Sequence, residues 1–153
     1  MRFLTALPVF FLFLAACGDK SAVSLSADIS AAALNVRPTA FGSALSGSFQ
    51  LNLNVGPEAS GAATVMLGNF SVQSAAGAPL IDVLPLETTS VFPLVVDKGS
   101  TKQAAFTFMV DSVDRTALCT GQVRIVGSVM DSLKGGTDPV SSALIATDCP
   151  PAI

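Results

Sequence analysis

A chain of 153 residues has the length of one domain, and its 12% charged residues against 50% hydrophobic ones fall well below the roughly 25% charged fraction of ordinary soluble domains. With no His, Trp or Tyr, it cannot build a His-based catalytic triad, a zinc-hydrolase His motif or a Tyr/Trp stacking platform for nucleic acid. Eleven acidic against eight basic residues give a net charge of −3, which also argues against a nucleic-acid partner.

Arg2 supplies a positive start, and Phe3 to Phe13 form an apolar run. That run is shorter than the roughly 20 residues needed to span a bilayer, so it reads as an export signal. It closes on Leu14-Ala15-Ala16-Cys17. This ending resembles the lipobox of bacterial lipoproteins: a Leu, two small residues and then the Cys. The resemblance covers residues 1 to 17. It implies that residues 1–16 are a signal peptide removed on export and that Cys17 becomes an acylated N-terminus held in membrane lipid. Each buried acyl CH₂ contributes about 0.8 kcal/mol, so two or three chains anchor a protein durably. Gly18, where an Asp would mark inner-membrane retention in enterobacteria, makes the outer membrane of the cell envelope the favoured address, with its periplasmic or surface face open. Loss of Arg2 leaves seven basic against eleven acidic residues, a net charge of −4.

Residues 17–33 are small and polar with scattered apolar positions and no sustained period, and we read them as the lipidated Cys and a tether. If flexible, such a segment reaches about 20 to 25 Å. The alternative for its Ala-rich part is a short helix or an added edge strand.

From Leu34 to the end, short runs rich in Val, Ile, Thr and Phe are punctuated by Gly, Pro, Ser and Asp, and no long helical period appears. Ser48 to Val55 alternates strictly, with Phe49, Leu51, Leu53 and Val55 on one face. Ala63 to Ser74 follows, its phase broken between Val65/Leu67 and Phe70/Val72, which a bulge at Gly68 reconciles. Leu80 to Leu84 and Val91 to Val96 are bounded by Pro79, Pro85 and Pro93 and belong at sheet edges, because proline cannot donate to a central ladder. Lys102 to Val110 alternates again and is the expected central core strand. Thr120 to Met130 and Val140 to Thr147 flank a turn-rich loop. The expected fold is all-β: a two-sheet antiparallel β-sandwich of about seven strands over residues 34–153, immunoglobulin- or fibronectin-like. A closed barrel or a transthyretin-like sandwich is the alternative.

Cys119 and Cys149 are an even pair in an exported chain, where oxidising conditions favour a disulfide. Their midpoint, residue 134, falls in the last predicted turn. A symmetric hairpin then sets Val123 opposite Ile145, Ile125 opposite Ala143, and Cys119 opposite Cys149. A redox role finds no support, since there is no C-x-x-C spacing and no His to lower a thiol pKa.

For metals, Asp111 and Asp114, with Asp97, Asp131 and Asp138 in other loops, are weak oxygen-ligand candidates for Ca²⁺. The simpler reading has Asp111 capping the turn Ser112 to Thr116 and the other acids solvated, so no metal or other cofactor is expected. No Ser lies three residues before a Lys, and Glu58 and Glu87 sit in loop or edge contexts, so no nucleophile or carboxylate pair for hydrolysis emerges. The chain reads as a non-enzyme: a lipid-anchored envelope lipoprotein whose sandwich binds a protein or glycan, or serves as a structural module, its binding residues unknown. The alternative is an accessory subunit of a periplasmic secretion or assembly complex.

Overall fold

The structure, a computed structural model, describes residues 25–151. The expected signal peptide, Cys17 and the first part of the expected tether lie outside the described residues. In chain order the elements are β1 (Leu25–Thr39), β2 (Gly42–Val55), β3 (Ala63–Ser74), β4 (Pro79–Ile81), β5 (Leu94–Val96), β6 (Thr101–Val110), α1 (Arg115–Cys119), β7 (Gln122–Asp131), β8 (Gly136–Ser141) and β9 (Ile145–Ala146). They form a two-sheet antiparallel β-sandwich.

One sheet runs β1-β2-β6 and the other β4-β3-β7-β8, with β5 also on β3 and β9 also on β7. This order sets β1, β2 and β6 at the A, B and E positions of an immunoglobulin-type sandwich, and β4, β3, β7 and β8 at C′, C, F and G. Both inner faces feed one core, centred on Phe49. Its ring stacks on Phe70 at 5.4 Å between centroids and on Phe106 at 5.1 Å. Leu51, Leu53, Val65, Val72, Ile125 and Val129 close around these rings with no exposed surface.

The Ala-rich part of the expected tether forms the added edge strand that was its alternative. Leu25 to Ser30 already pair with Val55 to Gln50 of β2, so residues 25–33 belong to the sandwich. The physical reason lies in a bulge between Ser30 and Ala33, where Ala31 takes a φ of +50°. Leu25 and Ile29 are buried before the bulge and Leu34 and Val36 after it. The buried phase thus moves from odd to even positions, and the strand's period is hidden in the sequence.

Among the described residues there are nine strands rather than about seven, because β1 is added and the last expected strand divides into β8 and β9. The division is local. Ile125 N donates to Ser142 Oγ at 3.0 Å, and Ser142 N donates to Ile125 O at 2.9 Å. Val123 therefore faces Ile145 as expected, whereas Val126 faces Ser141 and the Ile125–Ala143 pairing does not form. A register shift between Leu67 and Phe70 sits at the expected Gly68 bulge. β4 and β5 both lie on the outer side of β3, the edge that the prolines predict.

β6 buries Ala104, Phe106 and Phe108 as expected, yet it ends the β1-β2-β6 order instead of lying centrally. Among the described residues its outer edge is paired through a single bridge: Glu87 and Thr107 exchange both backbone hydrogen bonds, at 2.8 and 2.9 Å.

The sandwich has two distinct poles. Leu25 lies beside Val55, the β2–β3 loop and the β7–β8 turn, tied by Val55 N to Ser100 O at 3.0 Å and Ser132 N to Thr64 O at 3.1 Å. At the other pole sit the β1–β2 turn, α1, the start of β7 and the C-terminal segment.

Candidate functional site

The outer face of the β1-β2-β6 sheet carries a shallow groove of about 710 Å³. Its floor follows from the strand period: Ser46 and Ser48 point outward between the buried Leu45 and Phe49, and Thr107 and Met109 flank the buried Phe108. Gly47 belongs to the inward set. A Cβ there would come within 2.7 Å of Leu34 Cδ2 and also strike the Phe108 ring, so only Gly lets those two side chains close beneath the groove.

The groove's walls come from segments laid along both sheet edges. On one side the C-terminal segment pairs in parallel with β1, through Val36 N to Asp148 O at 2.9 Å and Asp148 N to Leu34 O at 2.9 Å. Asn35 Nδ2 adds a bond to Asp148 Oδ2 at 2.6 Å. On the other side stands Glu87 against Thr107. Asp148 and Glu87 thus bound a floor of Ser46, Ser48, Thr107 and Met109, and among the described residues no Lys or Arg lines the groove. Further along the same face, Asn52 Nδ2 donates to Asp28 Oδ2 at 2.7 Å and to Ser30 Oγ at 2.9 Å. The Oδ1 atoms of Asn35 and Asn52 are shielded from solvent and accept no hydrogen bond among the described residues. The face presents serine and threonine hydroxyls beside two carboxylates, with the apolar Met109 exposed among them.

The cysteine expectation is met by a Cys119–Cys149 disulfide with a Cα–Cα distance of 6.0 Å. Cys119 lies at the end of α1 rather than at the open end of a strand pair. The bridge therefore pins the β6–β7 link to the C-terminal segment, which Arg115 Nη2 also holds by donating to Pro150 O.

The acidic candidates do not converge. Asp114, not Asp111, caps α1: its Oδ1 accepts from Ala117 N at 3.1 Å, because the helix starts at Arg115, three residues later than the expected turn. Asp131 is 2% exposed, and its Oδ1 accepts from Leu133 N at 2.8 Å at the β7–β8 turn. Asp138 pairs with Lys134 Nζ at 3.1 Å. Asp97 takes the carbonyl position of a turn closed by Ser100 N at 3.0 Å. Among the described residues, no three His, Cys, Asp or Glu side chains gather where they could hold a metal. Also among them, no helix is long and apolar enough to cross a membrane.

Sequence reasoning missed the groove. Glu87 reads only as a loop or edge acid and Asp148 carries no signal, because the contacts joining them to the sheet span 20 and 113 positions. The only local signal is the run of small outward residues, Ser46 and Ser48, in a strand otherwise carrying Gln and Asn.

No protein-family model matches this chain, and none of the curated proteins matches it. Among solved structures it is similar to one titled X-ray structure of Northeast Structural Genomics Consortium target SoR45. The two share 10% identity over 81% of this chain and 87% of the other, with a TM-score of 0.45.

Proposed function

We propose that this is a lipid-anchored lipoprotein of the bacterial cell envelope whose β-sandwich is a non-catalytic binding or structural module, the outer membrane being its favoured address. The observation that carries this reading is Leu14-Ala15-Ala16-Cys17 at the end of a basic-then-apolar start, a few residues before Leu25, which already pairs within the sandwich. Residues 18 to 24 span at most about 25 Å even when fully extended. An acylated Cys17 would hold the Leu25 pole close to its bilayer and turn the α1 pole away from it.

Two further features support the reading. The Cys119–Cys149 disulfide suits an exported protein in an oxidising compartment. The groove between Asp148 and Glu87 offers hydroxyl and carboxylate groups to a protein or glycan partner.

The test is fractionation with protease shaving of intact cells. Wild-type protein is expected in the membrane fraction and a Cys17→Ala variant in the soluble one; a variant that stays in the membrane, or a wild type that is soluble, overturns the anchor. Loss of the domain to external protease, while a periplasmic control survives, assigns it to the cell surface; survival assigns it to the periplasmic side.

A further inference from the structure

The β1–β2 hairpin ends in Thr39-Ala40-Phe41-Gly42, with Thr39 paired to Gly42. Phe41 is 96% exposed, the most exposed large apolar side chain among the described residues. Neither the turn nor the core accounts for it. Tight hairpin connections favour Gly, Asn or Asp because they need positive φ. Here Gly42 supplies that conformation, at φ +137°, while Ala40 and Phe41 keep negative φ, so a small polar residue would serve equally at position 41. A Phe side chain stabilises a fold by being buried, and at this position the fold gains none of that. A residue that breaks the local rule with no gain inside the fold points to a use outside it.

The tip is built to be reached. β2 continues past its last pairing with β6, Leu45 with Val110, for three more residues to Gly42. That projection is about 10 Å at 3.3 Å per residue. The β6–β7 link accompanies it only to Ser43, whose carbonyl accepts from Val113 N at 2.9 Å.

Position and size select the occupant. Leu25 lies at the opposite end of the 15-residue β1, about 45 Å from the tip at the strand rise. A domain standing on its Leu25 pole therefore holds Phe41 away from the bilayer that anchors it. Asp111 and Asp114 in the link beside the tip are balanced by Arg37 on the hairpin and Arg115 on α1, so no net positive charge draws the tip to an anionic lipid surface. Two copies meeting tip to tip would bury far less than the roughly 1,200 Å² of a specific stable interface. A single aromatic knob with a polar surround instead matches the way anchor residues fill a partner's pocket.

We propose that Phe41 is the anchor of a protein-docking knob: the β1–β2 tip inserts it into an apolar pocket of a partner protein on the side of the domain opposite the lipid anchor. This rests on the anchored-module reading and adds where, and by what chemistry, the module binds.

The test places benzoylphenylalanine at position 41, and separately at Thr107 in the groove, of the full-length protein in its own cells. After irradiation, adducts are identified by mass. Any protein found at position 41 is purified, and its affinity is measured for wild type, Phe41→Leu and Phe41→Ser. The expected result is one protein adduct at position 41, with affinity within a few-fold of wild type for Phe41→Leu. Phe41→Ser should lose about 30-fold or more, the 2 kcal/mol of an anchor residue, with both variants melting as wild type does. The proposal is overturned if position 41 yields no adduct, a phospholipid or the chain itself, or if Phe41→Ser binds within about threefold of wild type. Adducts at Thr107 with silence at 41 would overturn the knob and leave the binding module standing, whereas silence at both would count against both.

Discussion

Removing the Cys119–Cys149 bridge is the perturbation whose cost the structure lets us work out most fully. The bridged residues are 30 apart. In the chain-entropy account, releasing a loop of that size returns about 12 cal/mol/K to the unfolded chain, or about 3.6 kcal/mol at 25 °C. Residues 25–151 number 127. At about 2.1 cal/mol/K of unfolding entropy per residue, that loss lowers Tm by about 13 °C. The bridge also fixes α1 against the segment that walls the groove, but Asp148 retains its backbone bonds to Leu34 and Val36 without it. The reduced protein should therefore keep its fold at 25 °C. The assay is urea denaturation and thermal melting of a Cys119→Ala/Cys149→Ala double variant beside wild type, with the two single variants as controls for packing. Equal m-values and a loss of 3 to 4 kcal/mol are expected. A loss below about 1 kcal/mol at unchanged m-value would refute the argument, because it would mean that the backbone pairing alone constrains this segment.

Other expectations follow from single contacts. Phe49→Ala removes the ring that stacks on both Phe70 and Phe106, and should cost about 3 to 5 kcal/mol in a urea titration; a cost under about 1.5 would mean that the core closes over the gap. Gly127→Ala places a Cβ within 2.6 Å of Phe70 Cε1, so overpacking should cost about 1 to 3 kcal/mol, and a neutral result by the same titration would contradict that packing. Asp114→Ala loses the α1 cap and should cost about 1 kcal/mol, whereas Asp111→Ala should stay within about 0.5; the reverse order would restore Asp111 as the capping residue. Calcium should leave the melting temperature unchanged, since the loop acids lie apart; a rise that scales with calcium concentration would show that they converge.

The comparison of sequence with structure turns on period. Where alternation is unbroken, as from Phe49 to Val55 and from Ala104 to Phe108, the buried face is legible residue by residue, because the strand period of two admits one register. The break at Gly68 is legible too, since strong apolar positions flank it on both sides. The bulge at Ala31 is not, because Ala and Ser on either side carry too little hydrophobic contrast to reveal a change of phase. The Cys119–Cys149 pairing follows from parity and spacing, yet the intervening register slips at Ser142, whose side-chain oxygen substitutes for a ladder partner. The groove lay beyond reach because both of its walls are single-residue bridges between distant segments. Position 41 is visible in the sequence only as a Phe before a Gly; its exposure depends on where β6 stops.

The central claim is that lipid on Cys17 anchors this sandwich, and the most direct measurement is the mass of the mature N-terminal peptide from native membranes. The account predicts a chain that begins at Cys17 and carries acyl groups, with residues 1–16 gone. An unmodified Cys17, or a mature start at any other residue, would contradict it.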